Sequence, residues 1–224
     1  MSSESPSPPG PAARPDVSAA AQPGPDAPQP RPDRRGTQPR IRAAARRLFI
    51  ERGYGATSMD AVAAAAPVSK RTLYQHFPGK AELFSAVIDE AWSHLTRAPL
   101  LPADTAGDPR TVLRAYVAGL SAHWDRPDVI PLLRLVIAEA PRFPELSQAY
   151  FAVGKAPALK GLTAYFTALA AEGRLAVADP ALAAAQFLGA IKEPLFWPRV
   201  LGVPVAFDAG QTVERAIDAV LGRA

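Results

Sequence analysis

Seven polar side chains within the eleven residues 70–80 carry the clearest chemistry in the 224-residue chain. Lys70 and Arg71 are adjacent cationic donors, and such donors read O6 and N7 of guanine. Gln75 can donate and accept together, as a base edge requires. Thr72, Tyr74 and His76 add hydroxyl and imidazole donors suited to phosphate oxygens. Lys80 falls at the start of a following helix, where free N–H groups and the helix dipole also favour a phosphate. This set recognises an anion and a base edge; it does not make or break bonds.

Such donors need a rigid element to present them. From Thr37 onward, Ile41, Ala44, Ala45, Leu48 and Phe49 follow helical spacing, with Arg42, Arg46 and Arg47 on other faces. Gly53 supplies a stop. Thr57-Ser58-Met59-Asp60 fits a capping box, with a hydroxyl at the cap and a carboxylate three residues on. It opens a short helix from Met59 to about Ala65. Pro67 breaks that helix, and proline fixes φ near −65°, which denies the turn a positive φ. Ser69 can cap again for a second short helix, Lys70 to His76, and Pro78-Gly79 ends it. A basic amphipathic helix followed by two short helices and a tight turn suggests a helix-turn-helix, whose second helix enters the DNA major groove.

Charge agrees with that placement. The net +4 is confined: residues 1–36 are balanced, residues 37–85 hold eight basic and three acidic groups, and residues 86–224 hold 13 and 14. A localised basic stretch is the footprint of a polyanion-binding module, although a solvated helix face has the same composition. Zero cysteine excludes a disulfide scaffold, a thiolate nucleophile and a cysteine-based metal site. No dinucleotide glycine fingerprint, phosphate loop, H-E-x-x-H or triad is present, so no catalytic residue is assigned. His94 and His123 lack neighbours at metal-ligand spacing, and neither a metal nor another cofactor is expected. No apolar window is long enough to cross a membrane and no signal-peptide core opens the chain, which therefore reads as cytoplasmic.

Residues 1–36 contain ten of the 25 prolines, no aromatic residue and one branched aliphatic, Val17; they read as a disordered tail. Beyond the motif the chain reads as all-α. Helices are expected at about 80–97, 109–124, 128–140, 144–172, 180–196 and 210–222, about nine in all, with Gly154 and Pro157 kinking the one over 144–172. Aromatic residues at helical spacing are mostly core, but Trp92, Tyr116, His123 and Trp124 are the best candidates for lining an apolar ligand pocket. The last two helices carry apolar stripes, with Ala181, Ala184, Ala185 and Gly189 small enough to admit a partner helix.

The run from Ile41 to Leu83 resembles the TetR family of transcriptional regulators. It carries A-x-x-L-F at 45–49, G-Y at 53–54, T-S-M at 57–59 and V-S-K-R-T-L-Y-Q-H-F-P-G-K-A-E-L at 68–83. Residues 134–146 and 186–198 resemble the C-terminal domain of AefR-like members. The resemblance implies a three-helix DNA-binding domain (37–84) and a helical ligand-binding and dimerisation domain (85–224) after the tail. By it, Thr57, Lys70, Arg71, Thr72, Tyr74, Gln75, His76 and Lys80 match DNA-contacting positions. Lys70, Arg71 and Gln75 then read bases, while Tyr74, His76 and Lys80 clamp phosphates. The implied partners are a palindromic double-stranded DNA operator, a small-molecule inducer and a second copy held through the last two helices. Pro67 departs from the family's usual glycine. The rival reading is a small-molecule-binding protein or enzyme with an incidental helix-turn-helix.

Overall fold

Residues 34–97, 101 and 105–222 are described in the computed structural model of the chain, and every regular element among them is helical. The tail expected over 1–36 lies outside the described residues as far as residue 33, and so does the side chain of His94. Helix α1 spans Arg34–Arg52 and so begins three residues before Thr37, with Pro39 inside it. Its predicted stripe is the buried one: Ile41, Ala44, Ala45, Leu48 and Phe49 all face the core. Gly53 ends it at φ +85°, a left-handed geometry that glycine adopts without steric cost.

Helices α2 (Met59–Ala65), α3 (Lys70–His76) and α4 (Lys80–Arg97) follow. Leu73 is the one buried residue of α3, and it anchors that helix in a core with Val62, Phe77, Leu83 and Phe84. The other faces of α3 are left free for solvent or a partner. Ser69 caps α3 as expected, its hydroxyl accepting the Thr72 N–H at 3.0 Å. At α2 the cap is Ser58 rather than Thr57: the Ser58 hydroxyl accepts from Ala61 N at 3.1 Å. Asp60 therefore sits one position too early to close a capping box, and it pairs with Lys70 instead.

The remaining helices are α5 (Pro109–Trp124), α6 (Val129–Glu139), α7 (Pro144–Ala149), α8 (Ala156–Ala171), α9 (Pro180–Leu195), α10 (Trp197–Leu201) and α11 (Ala209–Leu221). Asp108, Asp179 and Asp208 cap α5, α9 and α11. The expected helix over 144–172 is divided by a π-helical segment, Tyr150–Lys155. Pro157 lacks the N–H that would close the preceding turn, and Gly154 lies where any Cβ would meet the Trp92 indole. The short α10 has no counterpart in the sequence reading.

Two apolar cores result, and α6 serves both. Its Leu132, Leu135 and Val136 pack with α1–α4, while Leu133 packs with α5, α8, α9 and α11. The first core thus extends past residue 84. Arg110–Asp218 and Arg114–Glu214 ion pairs, each 2.6 Å, fasten α5 to α11.

Candidate functional site

The outward face of α3 is formed by Lys70, Arg71, Tyr74 and Gln75, all exposed. Positions i, i+1, i+4 and i+5 lie on one side of a helix, so the face follows from the burial of Leu73 on the other. Arg71 has no ion-pair partner among the described residues. Lys70 is tethered to Asp60 at 2.6 Å, and that bond holds its ammonium above the ordinary lysine value. Thr72 and His76 are half-buried at the edges of this face. Thr72 shares its hydroxyl with Ser69, and the His76 ring meets the Gln38 amide of α1 at 3.3 Å. Arg40, Arg47 and Arg52 of α1 are also exposed. By contrast Arg42 and Arg46 turn inward to Glu90 (3.4 Å) and Asp128 (2.9 Å), so part of the local charge excess is consumed internally.

Two residues expected at DNA-contacting positions, one of them the phosphate clamp Lys80, are placed elsewhere. Thr57 is buried, and its hydroxyl donates to the carbonyls of Gly53 (2.8 Å) and Leu48 (3.2 Å). Lys80 is half-buried, with Nζ donating to the carbonyls of Tyr54 (2.8 Å) and Thr57 (3.0 Å) and lying 4.4 Å over the Tyr54 ring. Burial lowers its pKa, opposed by Glu139 and Glu145. Both side chains therefore hold the α1–α2 loop rather than projecting from the protein. The reason is geometric: the loop doubles back over the start of α4 and offers its carbonyls there.

The same loop is held from its other side by residues the sequence reading did not assign. Glu139, the last residue of α6, accepts the backbone N–H of Tyr54 through Oε1 and of Gly55 through Oε2, each at 2.7 Å. The Tyr54 hydroxyl donates to Glu145 at 3.2 Å, and its ring packs edge-on against Phe143 at 5.1 Å. Burial first and then Glu145 push that hydroxyl well above the usual tyrosine range. All three residues fall inside the 134–146 stretch, so a signal existed, but a contact across 85 residues has no local periodicity to reveal it.

Pro67 overturns the expectation of an ordinary proline φ: it stands at +23°. The end of α2 explains why. The Ala66 N–H bonds Val62 O at 2.9 Å and the Val68 N–H bonds Ala63 O at 3.1 Å, the closure of a Schellman turn. That closure needs a left-handed residue at position 67. Proline there is strained and cannot donate the turn's remaining hydrogen bond.

A second feature lies among α4, α5, α8, α9 and the π segment. Two adjoining cavities of about 290 and 100 Å³ share Trp92, Trp124, Lys155, Lys192 and Trp197 as walls. Tyr116 lines the larger and His123 the smaller, so all four residues named from the sequence border this space. His123 is buried against Trp92 with ring centroids 4.6 Å apart. Tyr116 directs its hydroxyl to Ala158 O at 3.4 Å, and burial pushes that hydroxyl well above the usual range. Tyr150, on the smaller cavity, is pushed up to about 12 for the same reason. Among the described residues no cluster of metal-ligating side chains occurs, and no helix is long and apolar enough to cross a membrane.

Two family models match the chain. Residues 41–87 match the bacterial regulatory proteins of the tetR family, and residues 111–223 match the AefR-like transcriptional repressor C-terminal domain. The chain is 42% identical over 87 residues to the HTH-type transcriptional activator FasR of Mycolicibacterium smegmatis; that match spans 39% of this chain and only 38% of the relative. Over nearly the whole fold it is similar to the flavonoid-responsive regulator FrrA, with 31% identity, a TM-score of 0.71, and 84% of this chain and 98% of that one covered. A TetR family transcriptional regulator from Pseudomonas syringae pv. tomato has 30% identity and a TM-score of 0.67, with 83% and 95% covered.

Proposed function

The chain belongs to the TetR family of DNA-binding transcriptional regulators, and on that premise we propose that it is a repressor released from a palindromic operator by a small, largely apolar inducer. The observation that carries this reading is the position of α6 between the two sites. Its first half lines the smaller cavity through Val129 and Leu133, and its last residue, Glu139, holds the loop from which α2 and α3 depart. Arg134, midway along, donates to the carbonyls of Val200 (2.7 Å) and Arg199 (3.0 Å), so α6 is also tied to α10 beside the cavity. A ligand that repacks the cavity therefore bears on the helix that orients the DNA-facing module.

In this reading Lys70, Arg71 and Gln75 meet base edges, and Tyr74, Thr72 and His76 meet the backbone. Two copies pair through α9 and α11; the exposed line of Leu182, Ala185 and Gly189 on α9 supports that assignment. The two α3 helices would then enter successive major grooves about 34–36 Å apart. Inducer binding shifts the population toward a spacing that fits DNA less well, a coupling of order 1–3 kcal/mol. The sign of regulation follows the repressor description of the domain matched by residues 111–223.

The test is an anisotropy titration of a labelled mixed-sequence duplex across a salt series. Affinity is expected to fall steeply with salt, because the exposed cations of α1 and α3 displace counterions from the duplex. Salt-independent binding would overturn the assignment of this face.

A further inference from the structure

Lys155 and Lys192 both line the larger and the smaller cavity. An ammonium drawn into an apolar cavity is costly unless something pairs it; Lys192 is half-buried there, while Lys155 is exposed at the rim. Among the described residues neither lysine makes an ion pair. Each lies instead near an aromatic ring, Lys155 at 5.7 Å from Phe151 and Lys192 at 5.3 Å from Phe196. Glu193, the carboxylate on the wall of the larger cavity, is exposed and pairs with neither. Lys155 closes the π segment, and Lys192 comes from α9. Two separate elements therefore direct like charges at one apolar space.

We propose that this cavity takes an amphipathic carboxylate, its aromatic or aliphatic body among Trp92, Trp124 and Trp197 and its carboxylate between Lys155 and Lys192. The proposal rests on the reading of the cavity as the effector site and narrows the ligand from a simply apolar molecule to an apolar anion. A carboxylate has two oxygens and so can accept from both ammonium groups at once, in charge-assisted bonds about twice as strong as neutral ones. A neutral ligand of the same shape would strip water from both lysines and return nothing. The state of Lys192 agrees: burial, and then the neighbouring Lys155, hold its pKa below the ordinary lysine value, and no carboxylate raises it. The larger cavity, about 290 Å³, lies near the lower bound of small-molecule sites, roughly 300–1,000 Å³. That favours a compact body with a single charged end.

The test uses the full chain and two matched pairs of probes, phenylbutanoate with phenylbutanamide and decanoate with decanamide, titrated by calorimetry. All three of the chain's tryptophans border the cavity, so a change in their fluorescence locates the bound probe. Each anion is expected to bind at least about tenfold more tightly than its amide. Lys155→Met combined with Lys192→Met should erase that preference while the amides still bind. Amides binding as tightly as anions to the unaltered chain would overturn the proposal but leave the effector cavity standing, as would an undiminished anion preference in the double variant. Binding of neither member of either pair would remove both.

Discussion

Glu139 ties the carboxyl end of α6 to the loop that launches the DNA-facing helices, and replacing it with glutamine tests that tie. The carboxylate accepts two backbone N–H groups at 2.7 Å, one on each oxygen. Hydrogen bonds to a charged group are worth roughly 1.5–3 kcal/mol each. The Gly55 bond is solvent-exposed, which places it at or below the lower end of that range. Glutamine keeps one acceptor but turns an NH₂ toward the other N–H, so about 2 kcal/mol should be lost. For a chain of this size that lowers Tm by about 4–8 °C. Because 1.4 kcal/mol is about a factor of ten, amide exchange at Tyr54 and Gly55 should also rise about 30-fold. Glu145→Gln is the control: it alters a single 3.2 Å bond from the Tyr54 hydroxyl and should cost less than about 1 kcal/mol. If Glu139→Gln leaves Tm within about 1 °C of the unaltered chain, and exchange at Tyr54 and Gly55 does not change, α6 does not hold the loop.

Three further outcomes follow from particular residues. Pro67→Gly should stabilise the protein by about 1 kcal/mol in chemical denaturation, because relief of a strained φ worth roughly 1–3 kcal/mol exceeds the lost restriction of the unfolded chain; a net loss would show that the turn tolerates proline without strain. Lys80→Met should lower Tm, since it removes the ammonium's bonds to the carbonyls of Thr57 and Tyr54 and leaves the latter only the Thr57 N–H, while leaving the DNA salt slope as it is; a flattened slope with unchanged Tm would return Lys80 to phosphate contact. Asp108 caps α5, and the Thr111 hydroxyl, then the Arg110 N–H, hold its carboxyl below the ordinary value. With the folded-state pKa depressed, its contribution is present above the unfolded carboxylate pKa and fades as pH falls through the folded one. Asp108→Ala should therefore lower Tm at neutral pH, with the gap closing in acid; a gap that persists in acid would contradict the carboxylate's role.

The parts of the fold legible in the sequence were those set by local period and local capping. The α1 stripe, the Ser69 cap and the extent of α3 follow from spacing and local capping, and aromatic spacing named four residues that border the cavity. What stayed hidden depends on contacts distant in sequence. Lys80 is a good phosphate donor by type, but the α1–α2 loop supplies carbonyls first. Glu139 looks like any helix-terminal acid until the fold lays it on Tyr54 and Gly55. Thr57 and Ser58 are both competent caps, and only the path of the chain selects the second. The proline rule failed at position 67 because two flanking hydrogen bonds impose the left-handed turn. The π segment needed Trp92, 62 residues earlier, to explain Gly154.

The most direct measurement is selection of bound fragments from a pool of random duplex DNA, repeated with Arg71→Ala. The unaltered chain should recover a palindrome whose half-sites lie about one helical turn apart or a multiple of it, and the variant should lose discrimination at one base step in each half-site. A pool that remains random, or a recovered sequence read equally well by the variant, would contradict sequence reading by the exposed face of α3.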